Sequence, residues 1–161
     1  MVSVRVGTGF DVHAFDANRP LIVGGVLIPD EPGLGGHSDA DVLTHAITDA
    51  LLGAARLGDL GALYPDSDEW RNASSLSILA DAVMRTRDAG WLVVNVDSTI
   101  IAERPRMAPH KVAMADNLAR TLEVGADQVS IKATTSDGLG FTGRSEGIAA
   151  QAVVLIESGQ K

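Results

Sequence analysis

Residues 4–13 alternate between two kinds of side chain almost without interruption, and this pattern constrains the fold more than any other stretch. Apolar or β-branched residues stand at the even positions, and glycines and polar or charged residues stand at the odd ones. Because successive side chains of a β-strand point to opposite faces, the pattern predicts a strand with Asp11 and His13 on one face. A carboxylate beside an imidazole offers two ligands to a Zn²⁺-like ion, although a strand end that leaves polar groups in solvent is an alternative.

Length and composition narrow the class of protein. The chain has 161 residues, enough for a full hydrophobic core, and we expect a single domain over residues 1–161. It has no cysteine, so a metal site must be built from His, Asp or Glu. The net charge of −8 argues against binding nucleic acid or an anionic membrane through a basic surface. We recognise neither a signal peptide nor a membrane-spanning run, and we expect a cytoplasmic protein.

The rest of the chain alternates apolar strands with amphipathic helices. Gly24 and Gly25 lie between two short apolar runs and predict a hairpin, whereas the prolines and glycines of residues 29–36 argue against regular structure. Ser38 or Asp39 is the expected N-cap of the first helix. Helices are predicted over about 40–55, 74–88 and 109–123, and further strands over 91–101, 129–135 and 147–157. These elements indicate an α+β or α/β fold with a mixed sheet.

His45 is the second residue that indicates a metal site. The predicted helix places Asp41 one turn before it and Asp49 one turn after it. A metal-bound histidine commonly donates its second N–H to such a carboxylate. Together with Asp11 and His13, His45 would supply three protein ligands and leave a fourth tetrahedral position open, as catalytic sites do. A solvated or core histidine is the alternative.

Six short motifs together resemble one known family. In chain order they are Gly9-Phe10-Asp11-Val12-His13, Gly36-His37-Ser38-Asp39-Ala40-Asp41 with His45, Leu57-Gly58-Asp59-Leu60-Gly61, Tyr64-Pro65-Asp66, Lys132-Ala133-Thr134-Thr135 and Gly140-Phe141-Thr142-Gly143-Arg144-Ser145-Glu146-Gly147. Their order and spacing are similar, over essentially the whole chain, to those of the 2-C-methyl-D-erythritol 2,4-cyclodiphosphate synthase family. That family belongs to the non-mevalonate route to isoprenoids.

The resemblance implies a phosphorus–oxygen lyase and its metals. The substrate would be 4-diphosphocytidyl-2-C-methyl-D-erythritol 2-phosphate, whose 2-phosphate attacks the β-phosphorus of its own diphosphate, releases CMP and closes a cyclic diphosphate. By the same resemblance, Asp11, His13 and His45 would hold one Zn²⁺ per subunit. Asp137 would help to hold Mg²⁺ or Mn²⁺ on the diphosphate. The family usually has Glu there, so the shorter Asp137 must lie closer to the ion or reach it through water.

The resemblance also implies which residues contact the substrate. His37 and Thr135 would stabilise the transition state. His37 and Ser38 would also contact the erythritol phosphate. The methylerythritol pocket would be lined by Asp59, Leu60, Gly61, Tyr64, Pro65, Asp66, Ser67 and Asp68. Asp11, Val12 and His13 would also contact the substrate. The cytidine diphosphate part would be held by Ala102, Glu103, Arg104, Pro105, Arg106, Met107, Ala108, Thr134 and Thr135. Ser136, Asp137, Phe141 and Arg144 complete the expected substrate-binding set.

A homotrimer with active sites between neighbouring subunits is implied as well. The implied fold is α+β, with a mixed four-stranded sheet covered by helices on one side, a small N-terminal hairpin, and sheets that face the three-fold axis. Arg144 and Glu146 would lie near that axis, beside an apolar cavity suited to an isoprenoid diphosphate. A solvated surface turn is the alternative for Arg144. For the whole protein, a metal-dependent phosphohydrolase and a non-catalytic module that binds metal or nucleotide stay open as alternatives.

Overall fold

Residues 4–13 do form a strand, and the strand continues past His13 to Asp16. The computed structural model describes residues 2–159. Its strands are β1 (Val4–Asp16), β2 (Leu21–Val23), β3 (Val26–Ile28), β4 (Gly33–Leu34), β5 (Trp91–Ile101), β6 (Val129–Thr134) and β7 (Gly147–Ser158). Its helices are α1 (Val42–Ala55), α2 (Leu60–Leu63), α3 (Ser75–Asp88), α4 (Lys111–Leu122) and α5 (Gly140–Gly143), with 3₁₀ turns at Asp68–Trp70, Ala108–His110 and Ala126–Gln128.

Five strands form one mixed sheet in the order β4-β1-β7-β5-β6. Strand β7 pairs antiparallel with β1 and β5, and β5 pairs parallel with β6. The prediction of no regular structure in residues 29–36 is wrong, because the extended end of β1 pairs with β4 there and sets Phe15 opposite Leu34. The fold is therefore α+β with five strands rather than the expected four. The predicted hairpin is confirmed as a separate two-stranded sheet, β2–β3.

The buried carboxylate of Asp41 joins the hairpin to helix α1. The helix begins at Val42 with Asp41 as its N-cap, so the predicted caps at Ser38 or Asp39 are wrong. The side chain of Asp41 accepts hydrogen bonds from the backbone N–H and the hydroxyl of Thr44, at 3.0 and 2.7 Å. It also accepts the N–H groups of Gly24 and Gly25, at 2.9 and 2.7 Å. These two glycines have φ values of +57° and +69°, which favour glycine in a tight hairpin turn.

Two glycines of β1 allow helix α1 to pack directly against the strand backbone. A Cβ atom at Gly7 would lie 1.9 Å from the carbonyl oxygen of Ala50, and one at Gly9 would lie 1.9 Å from that of Ala46. Helices α1, α3 and α4 pack on this side of the sheet. The close approach brings the polar end of β1 beside the first turn of α1, where His45 lies.

The opposite face of β1 is apolar and exposed. The side chains of Val4, Val6 and Phe10 are about 60% exposed, at 59%, 62% and 59%. Val153 of the neighbouring strand β7 is 38% exposed on the same side of the pairing. The described chain therefore covers only one face of its central sheet. Within residues 2–159, no helix has the length and apolar character needed to cross a membrane.

Candidate active site

Three metal-type ligands meet where β1 passes helix α1. The Oδ2 atom of Asp11 lies 2.9 Å from Nε2 of His13 and 3.1 Å from Nδ1 of His45. The two ring nitrogens lie 3.1 Å apart. Ligands bound tetrahedrally to zinc at ordinary bond lengths lie about 3.3 Å from one another, so this donor set fits a Zn²⁺ ion with little movement. The predicted grouping of these three residues is present in the structure.

The outer nitrogen of each histidine ring has its own hydrogen-bond partner. Nδ1 of His13 donates to the carbonyl oxygen of Gly35 at 2.6 Å. Nε2 of His45 lies 2.9 Å from the hydroxyl of Ser75 and 3.1 Å from that of Ser38. The prediction that a carboxylate of Asp41 or Asp49 accepts the second N–H of His45 is wrong. One, Asp41, is the helix cap described above.

The other expected partner, Asp49, is turned toward helix α2. Its Oδ1 atom accepts the backbone N–H of Leu60 at 2.7 Å. Spacing by one helical turn indicates closeness along a helix, but the direction of each side chain depends on the neighbouring segments. Asp49 thus anchors the start of α2, which forms one wall of the site.

The cluster is strongly polarised. Burial alone would raise the pKa of Asp11, but hydrogen bonds and charge interactions with His13 and His45 outweigh it and hold that pKa well below its usual range. Burial alone would lower the pKa of His13, but the hydrogen bond to Asp11, the charge of Asp11 and the hydrogen bond to Gly35 together outweigh burial and raise that pKa. The carboxylate is therefore ionised at neutral pH and ready to act as a ligand.

A cavity of about 230 Å³ opens beside the ligands. It is lined by Asp11, His13, Gly36, His37, Ser38, His45, Leu60, Tyr64, Asp66, Trp70 and Ile78. Of the residues expected at the erythritol phosphate or in the methylerythritol pocket, the structure brings His37, Ser38, Leu60, Tyr64 and Asp66 to the metal ligands. Sequence reasoning missed Trp70 and Ile78, for which the sequence carries no chemical signal. The Trp70 ring meets the Tyr64 ring edge-on, with ring centroids 5.0 Å apart.

Other expected residues of this group have different positions. Val12 points to the opposite, exposed face of β1, since it alternates with Asp11. Asp59 caps helix α2 by accepting the N–H of Ala62 at 2.8 Å, and Asp68 pairs with Arg71 at 2.7 Å. The remaining expected residues, Gly61, Pro65 and Ser67, belong to the same segment but do not line the cavity.

Hydrogen bonds hold the segment that carries His37. Its Nε2 donates to the carbonyl oxygen of Ser67, and its own carbonyl accepts the N–H of Asn72 at 2.9 Å. The guanidinium of Arg19 donates to the carbonyl oxygens of Gly36 and Ser38. The hydroxyl of a second cavity residue, Tyr64, is likewise committed. It donates to Asp81 at 2.7 Å.

A second cavity, of about 280 Å³, lies at the carboxyl ends of the parallel strands β5 and β6. It is lined by Ile100, Ala102, Glu103, Pro105, Arg106, Met107, Ala108, Ala133, Thr134 and Thr135. The expected cytidine-binding residues are thus gathered in one place, except Arg104, whose guanidinium lies 5.5 Å from the Phe15 ring centroid. The sequence did not predict Ile100 and Ala133 as lining residues. The rule that ligands bind at the carboxyl ends of parallel strands could have indicated both.

The turn after β6 is held by Glu103. Its Oε1 atom accepts the N–H groups of Ser136 and Gly138, at 3.1 and 3.3 Å. Glu103 therefore positions the backbone beside Asp137, which is exposed and has a left-handed φ of +53°. The hydroxyl of Thr135 lies 3.4 Å from the Asp137 carboxylate.

The last expected residues lie on the surface after this turn. Phe141 is 39% exposed, and the exposed guanidinium of Arg144 donates to Glu146 of the same chain at 2.7 Å. The two cavities share no lining residue. A single chain therefore does not bring Thr135 or Asp137 into the cavity that holds Asp11, His13 and His45.

Three ligands at the wall of an open cavity are the arrangement of a catalytic metal centre rather than a structural one. A sequence profile of the YgbB family matches residues 4–157. A relative from Syntrophomonas wolfei, named 2-C-methyl-D-erythritol 2,4-cyclodiphosphate synthase, is 56% identical over 155 residues, which cover 96% of this chain and 99% of the relative. The chain belongs to the YgbB family, together with these synthases.

Solved structures share the fold over nearly the full length. A 2C-methyl-D-erythritol-2,4-cyclodiphosphate synthase in its CDP-bound form matches with a TM-score of 0.86 and 37% identity, covering 94% of this chain and 99% of that one. The Plasmodium falciparum protein described as an IspF CDP complex matches with a TM-score of 0.85 and 28% identity, covering 98% of both chains. Both were solved with a cytidine nucleotide.

Proposed function

We propose that this chain is an enzyme of isoprenoid precursor biosynthesis. It converts 4-diphosphocytidyl-2-C-methyl-D-erythritol 2-phosphate to 2-C-methyl-D-erythritol 2,4-cyclodiphosphate and CMP. The observation that carries the proposal is the Asp11, His13 and His45 cluster at the wall of a cavity, in a chain 56% identical to a synthase of that name. The cytoplasmic location expected from the sequence stays a prediction.

The reaction is an intramolecular displacement at phosphorus. An oxygen of the 2-phosphate forms a bond to the β-phosphorus, and the bond from that phosphorus to the oxygen shared with the α-phosphate breaks. The electron pair leaves with CMP. No protein nucleophile is needed, because the attacking group belongs to the substrate, so the task of the enzyme is to position the groups and to offset their repulsion. This task is demanding for a chain of net charge −8.

We propose that Asp11, His13 and His45 hold Zn²⁺, and that Asp137 shares in holding Mg²⁺ or Mn²⁺. Such ions, when bound, supply positive charge that polarises phosphate oxygens and offsets their mutual repulsion. The side chains then orient the substrate. Ser38 and His37 lie at the same cavity wall as the ligands and face the erythritol phosphate. Thr135 offers a hydroxyl donor to the diphosphate.

We propose that the cavity at the ends of β5 and β6 holds the cytidine diphosphate part. Its lining combines apolar side chains with the Arg106 guanidinium and the hydroxyls of Thr134 and Thr135. An apolar wall with a few polar groups suits a base and its phosphates. Arginine can bind phosphate oxygens in a two-pronged fashion. The CDP-bound relatives support a cytidine nucleotide as the occupant.

We propose a homotrimer whose sheets face the three-fold axis and whose active sites lie between neighbours. Two observations support it. Each chain holds only half of the expected site, since the two cavities share no residue. The outer sheet face also exposes Val4, Val6 and Phe10, which a monomer would leave in water.

Arg144 and Glu146 would then lie near the axis, and we propose that the arginines bind the diphosphate group of an isoprenoid whose tail fills an apolar axial cavity. Arg144 and Glu146 form an exposed ion pair in this chain. This pairing supports the proposal, because each glutamate would offset the charge of an arginine where three copies converge. Calorimetric titration with geranyl diphosphate tests this proposal. Arg144→Ala is expected to abolish that binding while each chain keeps its zinc. Unchanged binding together with an unchanged trimer would show that Arg144 is only a residue of a solvated turn.

The function itself is tested by one assay. The protein is incubated with the diphosphocytidyl substrate, Zn²⁺ and Mg²⁺, and phosphorus resonances are followed. The expected products are a cyclic diphosphate and an equal amount of CMP. Release of inorganic phosphate without ring closure would indicate a phosphohydrolase, and tight binding of CDP without turnover would indicate a binding module.

A further inference from the structure

We propose that Asp39 and Ser75 form a positioning pair that fixes the ring of His45 for metal binding. The pair lies behind the ligand cluster, on the side of His45 that faces away from Asp11. Tight zinc binding would then depend on Asp39 and Ser75 as well as on the three ligands. The inference rests on the proposed zinc site.

The contacts run in one chain from helix α3 to the ligand. The Oγ atom of Ser75 lies 2.9 Å from Nε2 of His45 and is hydrogen-bonded to Oδ1 of Asp39. The other carboxylate oxygen of Asp39 accepts the backbone N–H of Ser75 at 3.0 Å. Ser75 is fully buried, and it is the first residue of α3. The preceding residue, Ser74, makes no side-chain cap hydrogen bond, so a distant carboxylate caps this helix.

The direction of these hydrogen bonds follows from what each group can donate. An ionised carboxylate only accepts, so the hydroxyl hydrogen of Ser75 points to Asp39. The oxygen of Ser75 then has only lone pairs left for His45, and Nε2 of His45 must carry the hydrogen. With this hydrogen held on Nε2, a ring that binds the ion can give it the lone pair of Nδ1, in place of the hydrogen bond that Nδ1 makes with Asp11 in the metal-free chain.

Neither of the other neighbours fixes His45 in this way. The hydroxyl of Ser38 also lies near Nε2, at 3.1 Å, and accepts the N–H of Ala40 at 3.2 Å. The structure assigns no acceptor to its hydrogen, so Ser38 can either donate or accept. His13 is fixed differently, by the backbone carbonyl of Gly35. The orientation of His45 therefore depends on side chains that substitution can change.

Two variants separate this role from a purely structural one. Ser75→Ala removes the hydroxyl that can only accept from His45 and leaves Nε2 with Ser38, which can also donate. It keeps the backbone N–H that Asp39 caps. Asp39→Asn keeps the size and a capping oxygen, but its amide can donate to Ser75 and release the serine hydrogen toward His45. That reversal favours the ring form with the hydrogen on Nδ1, which cannot bind the ion. Ser74→Ala is the matched control, because Ser74 is exposed and makes no such bond.

The experiment measures zinc dissociation constants of the full chain by competition with a fluorescent chelator, at one neutral pH. Losing a residue that orients a metal ligand weakens binding by about 10- to 100-fold, and we expect that loss for Ser75→Ala and Asp39→Asn but not for Ser74→Ala. Nitrogen resonances of the imidazole of His45 report which nitrogen carries the hydrogen. We expect Nε2 to carry a hydrogen in the unmodified chain, and we expect that hydrogen to be partly lost from Nε2 in Asp39→Asn.

The possible outcomes are distinct. Zinc affinities equal to that of the unmodified chain in both variants would overturn the positioning role and leave the zinc site standing. An unmodified chain that binds no zinc would overturn the metal assignment and this role with it. Thermal unfolding of the metal-free proteins controls for folding. If Asp39→Asn loses the helix cap and unfolds, Ser75→Ala decides alone, since it retains the cap.

Discussion

Among single residues, Asp11 dominates the electrostatics of the site. Its carboxylate lies between two imidazoles, and their interactions lower its pKa. A negative charge held there repels a substrate that carries several phosphates. A cation bound to Asp11 and both histidines reverses the sign of that local field. Asp11 thus repels the phosphates of the substrate in the metal-free chain, and it helps to attract them when it holds a cation.

The first prediction concerns the ligands themselves. Changing His13 to alanine removes one of three donors, so bound zinc should fall to well below one ion per chain and activity should be lost. The fold should persist, because His13 is a half-buried strand residue outside the apolar core. Atomic absorption and circular dichroism measure the two properties. His110→Ala is the control, since His110 lies in another part of the chain, and a fully active, zinc-free His13→Ala protein would contradict the assignment.

A second prediction concerns acid stability and Asp81. Burial alone would raise the pKa of Asp81, but hydrogen bonds from Arg85 and Tyr64 outweigh it and lower that pKa. A carboxyl whose pKa is lower in the folded state stabilises the fold above its unfolded pKa of 3.8, and this stabilisation is lost as pH falls through the folded value. The group is partly exposed, so the effect should be at most about 1 kcal/mol.

Asp81→Asn should therefore lower the free energy of unfolding at pH 6 by about that amount and make less difference below pH 3. Urea unfolding at a series of pH values measures it. Tyr64→Phe removes only the hydroxyl that donates to Asp81, so it should reproduce part of the same pH-dependent loss. A stability difference that does not vary with pH would show that the charge of Asp81 is not responsible.

The grouping of Asp11, His13 and His45 could be predicted from the sequence, because the placement of each residue follows from local periodicity. A period of two sets Asp11 beside His13, and a helix supplies His45. Their supporting groups could not be predicted in this way. The contact between Asp39 and Ser75 joins residues that are 36 positions apart, and only the packing of α3 against the loop before α1 creates it.

Helix α1 and strand β1 form the element pair on which the site depends. Their backbones approach so closely at Gly7 and Gly9 that a methyl group would meet backbone atoms. Close approach is what sets the end of β1 within ligand distance of the helix. The glycines thus help to assemble the proposed metal site from positions well inside the strand, because they allow this close approach.

The prediction at this scale compares two glycines. Gly9→Ala would put a Cβ 1.9 Å from the Ala46 oxygen, and the strand would have to move, at a cost of about 3 kcal/mol or more. Gly53 lies within helix α1, and a Cβ atom added there would have no other atom within 4 Å, so Gly53→Ala should stabilise the protein by up to about 1 kcal/mol. Thermal or urea unfolding measures both. Equal effects of the two substitutions would contradict the packing argument.

Elements were predicted to the extent that they are long enough to show a period. Strands β1, β5, β6 and β7 were expected with nearly correct bounds. The sequence did not predict the four-residue helices α2 and α5 or the two-residue strand β4. Elements this short do not repeat often enough to show a helical or strand period. Helix α1 starts beyond the expected caps, because Asp41 bonds to the hairpin as well as to Thr44.

At the scale of the whole molecule, the decisive feature is that residues 2–159 cover only one side of the sheet. Val4, Val6, Phe10 and Val12 lie on the outer face of β1, with Thr8 between Val6 and Phe10, and all five are exposed. Val153 extends this surface onto β7. An exposed apolar patch of this kind indicates an interaction surface. The proposed trimer would bury this surface around the axis, on the face of β1 opposite Asp11 and His13.

The prediction from this surface is that a charge on it separates the subunits. Val6, 62% exposed, tolerates Asp in a folded monomer, but three buried carboxylates around an axis repel one another. Val6→Asp should therefore sediment as a monomer of 16.8 kDa, keep its zinc and lose most activity. Val112→Asp on helix α4, where Val112 is 75% exposed, is the control and should remain trimeric. An active Val6→Asp monomer would rule out shared sites.

Sharing of the site between subunits leads to a sharper prediction. Suppose that each active site combines the zinc ligands of one chain with the Thr135 cavity of its neighbour. Each site then has a zinc half from one chain and a nucleotide half from its neighbour. A His13→Ala chain inactivates only the zinc half that it supplies, and a Thr135→Val chain inactivates only the nucleotide half that it supplies. In trimers mixed at random from equal amounts, a site is intact when its zinc half comes from the second chain and its nucleotide half from the first. Independent choice of the two halves makes about one site in four intact.

Two inactive or weakly active variants should therefore give about a quarter of the full activity when they are co-expressed in equal amounts and purified together. Mixing His13→Ala with the unmodified chain sets the scale, because about half of those sites keep their zinc half. The assay is CMP release per chain. If the two halves instead belonged to the same chain, every site would carry one defect and no activity would return, whatever the oligomeric state. The measured fraction therefore distinguishes a shared site from a trimer of independent sites, which sedimentation alone does not.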